Sequence, residues 1–150
     1  YFNVYGPGED HKASQASVLF HARKQVKANG KIRLFESDRP DYKHGEQLRD
    51  FVWVGDVVAA MLFFATGAGK NGIYNVGTGV ARSFNDLARA VTAALKIECK
   101  IEYIPMPSHL KGRYQYFTKA EISRLRDAGF TGKFLSLEEG AKKYFEEDPI

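Results

Sequence analysis

Eight polar residues fall in segments of this chain whose pattern is not helical: Asn3, Lys12, Ser14, Ser37, Arg49, Lys111, Arg113 and Tyr114. Arginine forks onto phosphate, and lysine acts as a point charge or as an acid or base. Asparagine, serine and tyrosine direct hydrogen bonds to hydroxyls. Together these side chains supply what an anionic diphosphate sugar requires, although the same residue types populate any solvated surface. None of His11, His21, His44 and His109 shows the spacing of metal ligands, and the metalloprotease pair H-E-x-x-H is absent. His21 differs from the other three because it sits on the helix that follows the first loop.

Phosphate-binding loops are harder to find. The run Gly67-Ala68-Gly69-Lys70-Asn71-Gly72 matches G-x-G-x-x-G, but a dinucleotide fingerprint needs a strand before it and a helix after it. Here the pattern predicts the reverse order, so the run reads as a glycine-rich turn. Gly77-Thr78-Gly79 has the right context, strand then capped helix, and is the better candidate for a backbone anion nest. No tyrosine is followed four residues later by lysine, and no Walker loop occurs.

The elements that must position these residues alternate. Residues 1–5 (YFNVY) predict a strand, Gly6-Pro7-Gly8 a break, and residues 9–14 a loop. A helix with Ala16, Leu19, Phe20, Arg23 and Val26 on one stripe ends at Gly30. A strand over 32–35 leads into a polar surface loop over 37–47, then an extended segment over 49–54. Asp56 is placed to cap an apolar helix over 57–65, and residues 73–76 predict a buried strand. Ser83 with Asp86 forms a capping box before the amphipathic face of Leu87, Val91 and Leu95. A strand over 99–104 gives way, at Pro105 and Pro107, to an irregular segment. Thr118 with Glu121 and Ser136 with Glu139 suggest two further boxes, and Gly129 a helix stop. This alternation argues an α/β fold with a largely parallel sheet.

Composition narrows the function classes. With 150 residues, 44% hydrophobic and 13% aromatic, the chain suits one globular core and excludes collagen-like or disordered readings. Its net charge of +4 is spread along the chain rather than gathered into a tail, so nothing points to nucleic acid. No apolar run approaches the length of a membrane span. The one cysteine, Cys99, fits a reducing compartment, and a cytoplasmic protein is expected. Because residue 1 is Tyr and already strand-like, the chain is expected to be part of a longer polypeptide.

Three motifs in order, Tyr1-Phe2-Asn3-Val4-Tyr5-Gly6-Pro7, Arg49-Asp50-Phe51-Val52-Trp53-Val54-Gly55-Asp56-Val57 and Tyr74-Asn75-Val76-Gly77, resemble the second half of an extended short-chain dehydrogenase/reductase of the nucleotide-sugar epimerase and dehydratase group. His11-Lys12-x-Ser14-x-Ala16-Ser17, Leu34-Phe35-Glu36, Ile101-Glu102-Tyr103-Ile104-Pro105 and above all Leu110-Lys111-Gly112-Arg113-Tyr114-Gln115 are similar to its ADP-heptose 6-epimerase branch. The likeness runs over nearly the whole chain.

That resemblance implies the C-terminal part of a Rossmann-like fold, with residues 1–150 as a single substrate-binding segment and the NADP-binding half outside this chain. It implies NADP as cofactor, an ADP-sugar as substrate, a homo-oligomer for the full enzyme and a role in lipopolysaccharide core synthesis. Lys12 would be a proton-transfer residue beside the nicotinamide, and Val4 would lie against NADP. Asn3, Ser14, His21, the segment Phe35, Glu36, Ser37 and Asp38, Arg49 and Tyr114 would line the substrate site. Gly8 stands where the group carries Arg, Ser37-Asp38 replaces a smaller Gly-Ser pair, and the 37–47 loop is longer than the pattern. Lacking the glycine-rich NADP loop and the Tyr-x-x-x-Lys pair, the chain alone is expected to be inactive. Two other readings stay open: an epimerase or dehydratase acting on a UDP, GDP or dTDP sugar, and a non-catalytic binding or assembly fragment.

Overall fold

A computed structural model of the chain describes residues 1–147. The order of elements is β1 (Asn3–Tyr5), a short 3-10 helix (Asp10–Gln15), α1 (Val18–Asn29), β2 (Lys31–Phe35), β3 (Leu48–Arg49), β4 (Phe51–Trp53), α2 (Val54–Ala65), β5 (Arg82–Ser83), α3 (Phe84–Leu95), β6 (Lys100–Ile104), α4 (Ser123–Asp127) and α5 (Leu137–Glu147). Strands pair in three separate ribbons. β1 lies parallel to β4 with Tyr5 opposite Trp53, and β2 lies parallel to β6 with Leu34 opposite Tyr103. β3 and β5 are antiparallel.

The β1–β4 ribbon divides two cores. Side chains of a strand alternate between faces, so Tyr5, Phe51 and Trp53 enter a large cluster with Leu19, Ile32, Leu87, Val91 and Tyr144. Val4 and Val52 face a smaller one with Val57, Ala60, Leu125 and Phe130. All three residues of β4 are buried, the pattern of a parallel strand covered on both sides. The large cluster is roofed by α1, α3 and α5, each of which offers a stripe of apolar residues.

Helix ends follow the sequence closely at four helices. Ser17 caps α1, accepting from Phe20 N at 3.2 Å, and Gly30 closes it with φ +67°, a conformation that glycine adopts without strain. Ser83 and Asp86 form the predicted capping box of α3, and Ser136 and Glu139 exchange the same pair of bonds ahead of α5. Gly129, at φ +97°, follows α4 as the predicted stop.

Other expectations fail for identifiable reasons. Asp56 does not cap α2, which starts two residues earlier; its carboxylate reaches across to accept from Leu135 N at 2.8 Å. Residues 73–76 are not a strand, because Ile73 is 86% exposed and only Val76 is buried. Glu121 accepts from Ser123 N instead of boxing with Thr118. Residues 10–15 wind into the 3-10 turn rather than staying a loop. The 37–47 segment is only partly surface: Gly45 is buried, and Gln47 is 1% exposed.

Candidate functional site

One face of α1 builds the first wall of a cavity of about 390 Å³: Val18, His21, Ala22 and Gln25 recur at helical spacing. β2 passes beneath it with Ile32, Arg33, Leu34 and Phe35, and Gln47, Phe84, Ile104 and Tyr114 complete the lining. The size suits a small molecule, and the lining is mostly apolar with a few polar groups, as ligand pockets usually are.

Two anchors hold α1 in place. Glu9 is buried, and its carboxylate accepts from Ser17 N at 2.9 Å and from Ser17 Oγ at 2.5 Å, where negative charge favours a helix N-terminus. Lys12 Nζ joins the same carboxylate at 3.3 Å while its side chain stays 43% exposed.

Arg49, outside the lining itself, is buried against two of the lining side chains, with its guanidinium 5.1 Å over the Tyr114 ring and 5.8 Å over that of Phe84. Its Nη1 donates to Leu48 O at 2.8 Å, and no carboxylate among the described residues pairs with it. Burial lowers its affinity for a proton, yet a guanidinium remains charged. Burial likewise pushes the Tyr114 hydroxyl upward, against the pull of Arg49, so it stays a donor. A desolvated cation without an anion is an expensive arrangement, which an incoming phosphate would relieve.

The structure therefore brings His21, Phe35, Arg49 and Tyr114 together. Glu36 is next to them, its amide on Ile104 O at 2.9 Å. Ser37 and Asp38 do not line the cavity: the Ser37 amide donates to His44 Nδ1 at 2.9 Å, and the Asp38 carboxylate binds the Tyr116 hydroxyl and Gly112 N. That hydroxyl bond, with help from the Gly112 amide and Lys111, holds the Asp38 carboxyl below its ordinary range. Asn3, Lys12 and Ser14 also lie off the cavity wall. Asn3 Nδ2 donates to Asp50 O at 3.2 Å, and Ser14 is exposed. Val4 packs into the smaller core.

Four contributors escaped the sequence reading. Gln47 and Phe84 looked like loop and helix-start residues, and Tyr116 like one more aromatic; only the spacing Tyr114-x-Tyr116 hinted that both rings face one way. Asp50 is the fourth. It is fully buried, and its carboxylate accepts from Thr78 N (2.8 Å), Thr78 Oγ1 (2.6 Å), Gly79 N (2.9 Å) and Ala120 N (3.0 Å). The Gly77-Thr78-Gly79 nest thus already holds an anion, and it is the protein's own.

This bears on a nicotinamide cofactor. With that nest filled and Gly67–Gly72 following a helix, the described residues include no cradle for dinucleotide phosphates.

Among the described residues, no helix is long and apolar enough to cross a membrane, and no group of side chains could hold a metal ion. The chain is 51% identical, over 150 residues, to ADP-L-glycero-D-manno-heptose-6-epimerase of Fusobacterium nucleatum subsp. nucleatum, with 96% of this chain and 45% of the relative covered. It spans about 45% of the length of such curated relatives. The crystal structure of the Helicobacter pylori ADP-L-glycero-D-manno-heptose-6-epimerase superposes with a TM-score of 0.81 at 35% identity, covering 98% of this chain and 42% of that one. A UDP-glucose 4-epimerase from Thermotoga maritima, solved with UDP-glucose, follows at 0.77 and 30%, covering 98% and 44%. Residues 1–77 match the family model described as NAD dependent epimerase/dehydratase, and with half the chain accounted for in this way, the protein belongs to the NAD dependent epimerase/dehydratase family.

Proposed function

We propose that this chain is the substrate-binding half of an NADP-dependent enzyme that interconverts ADP-D-glycero-D-manno-heptose and its L-glycero epimer for lipopolysaccharide core synthesis. The observation that carries the reading is Arg49, buried, without a carboxylate and stacked on Tyr114 and Phe84 of the cavity wall. A nucleoside diphosphate fits this arrangement: its base enters the apolar space between α1 and β2, and its phosphates meet the guanidinium fork. The likeness to curated ADP-heptose epimerases favours adenine as the base.

Inversion of a carbinol carbon needs a reversible hydride acceptor, the chemistry that a bound nicotinamide supplies. The contribution of this chain is to bind and orient the sugar nucleotide and to move protons. Lys12, held by Glu9 but half open to solvent, is the proton-transfer residue in this reading. His21 and, beyond the cavity wall, Asn3 and Ser14 provide hydrogen bonds to sugar hydroxyls, Phe35 walls the cavity with Glu36 beside it, Tyr114 directs its hydroxyl, and Val4, from the smaller core, backs the cofactor. Most of the cofactor's contacts fall to the longer protein, so the isolated chain turns over no ADP-heptose. The working enzyme is a cytoplasmic homo-oligomer.

Thermal unfolding with ADP, ADP-mannose, UDP-glucose and NADPH tests the reading, since a ligand of the native state raises the midpoint. A shift by ADP compounds alone, abolished in Arg49→Met, is the expected result. A shift by UDP-glucose alone would move the assignment to a UDP-sugar enzyme. A midpoint blind to every nucleotide, in this chain and in the full-length protein, would leave the non-catalytic assembly reading.

A further inference from the structure

We propose that Tyr116 is a positioning residue of this site, acting as a latch that fixes Arg49 and the 37–42 loop in one arrangement. The inference rests on the cavity's being a nucleoside diphosphate site.

Tyr116 is nearly buried, and every part of it is engaged. Its hydroxyl donates to the Asp38 carboxylate, accepts from Asp38 N at 2.9 Å and lies 3.2 Å from Ser37 Oγ. The other Asp38 oxygen accepts from Gly112 N at 3.3 Å, so the loop is tied to the turn that leads into Tyr114. The Tyr116 ring packs against Tyr42 at 4.9 Å, has the Arg39 guanidinium 5.1 Å above it, and meets Tyr114 edge-on at 5.8 Å.

Its backbone reaches further. Tyr116 O accepts from Leu48 N at 2.8 Å, and Leu48 O accepts both Thr118 N at 3.1 Å and Arg49 Nη1 at 2.8 Å. One residue therefore touches the loop through its side chain and reaches the guanidinium through a single intervening residue, Leu48. Ser37 and Asp38 serve the latch in this arrangement, and they act on the ligand through Tyr116 and Tyr114 rather than by contact. An exposed loop of this length would otherwise sample many conformations, and tethering it at both faces removes that freedom before ligand arrives.

The test uses the full-length protein, with ADP as the calorimetric probe and the sugar nucleotide for kinetics. Tyr116→Phe keeps the ring and deletes the hydroxyl; Asp38→Ala and the double variant complete a cycle, and Arg49→Met reports on the site itself. Tyr116→Phe and Asp38→Ala should each weaken ADP binding by about tenfold, the double variant no more than the weaker single, and KM should rise more than kcat falls. Unchanged ADP affinity in Tyr116→Phe, even with a lowered melting midpoint, would reduce the latch to ordinary packing and overturn the proposal. Additive losses would do the same, because they would place Asp38 on the ligand. If Arg49→Met binds ADP like the parent, the site reading has failed; if only the Tyr116 and Asp38 variants do, the latch alone has failed. Should Asp38→Ala not fold, Asp38→Asn retains an acceptor for the Tyr116 hydroxyl and is expected to restore much of the affinity.

Discussion

Replacing Asp50 with alanine should cost a large part of the protein's stability, although the residue lies outside the cavity. The carboxylate is fully buried and satisfies three backbone amides, of Thr78, Gly79 and Ala120, besides the Thr78 hydroxyl. Alanine leaves those amides without a partner in a space where the Gly77 backbone and the Ala120 methyl already crowd the site. An unsatisfied buried donor costs about 1–3 kcal/mol, so three amount to roughly 3–6 kcal/mol once part of the loss is recovered by no longer burying a charge. Against a typical total of about 5–15 kcal/mol, that brings the variant close to unfolding at ambient temperature. Asp50→Asn keeps one acceptor oxygen and should lose less. Urea unfolding of the parent and both variants, followed by tryptophan fluorescence from the buried Trp53, measures the differences. A loss below about 1 kcal/mol in Asp50→Ala would refute the accounting, because it would mean that water or a shifted backbone satisfies the amides freely.

Two further outcomes follow from local geometry. Burial opposes ionisation of Asp86, but bonds from Arg89, the Ser83 amide and Arg82 outweigh it and bring the carboxyl down to about 2. Its stabilising contribution is therefore complete above the ordinary aspartate range and is lost as pH falls from about 4 through about 2; Asp86→Asn should be less stable by about 2 kcal/mol at pH 6, with the gap largely closed at pH 2 and gone below it, as read from urea midpoints. Gly45, at φ +72°, would press an added Cβ into the Asn85 carboxamide, so Gly45→Ala should destabilise by about 1–3 kcal/mol and loosen the loop, visible as faster amide exchange over residues 37–46.

Local chemistry was the most legible part of this sequence. Ser83, Ser136, Gly30 and Gly129 sit where capping rules place them, since a cap is decided within a few residues. β2 and β6 were readable from short β-branched and aromatic runs. Asp56 and Glu121 misled because a carboxylate near a helix start can equally serve a distant or non-helical amide, as Leu135 and Ser123 show. Residues 73–76 misled because Ile-Tyr-Asn-Val has strand character but nothing to pair with on most of its length. At the site, the arginine and tyrosine stood out by type. The roles of Asp50 and Tyr116 did not, since each depends on partners 28–78 residues away.

The β2–β6 ribbon has a consequence for how the molecule comes into being. Arg33 and Glu102 face each other across 69 residues of chain, and every residue of β2 finds its partner in β6. On a ribosome working at about 5–20 residues per second, β2 waits roughly 3–14 s for its mate to be made. Throughout that interval Ile32 and Leu34 and an unpaired strand edge are open to any neighbour, which exposes the nascent chain to aggregation until β6 arrives.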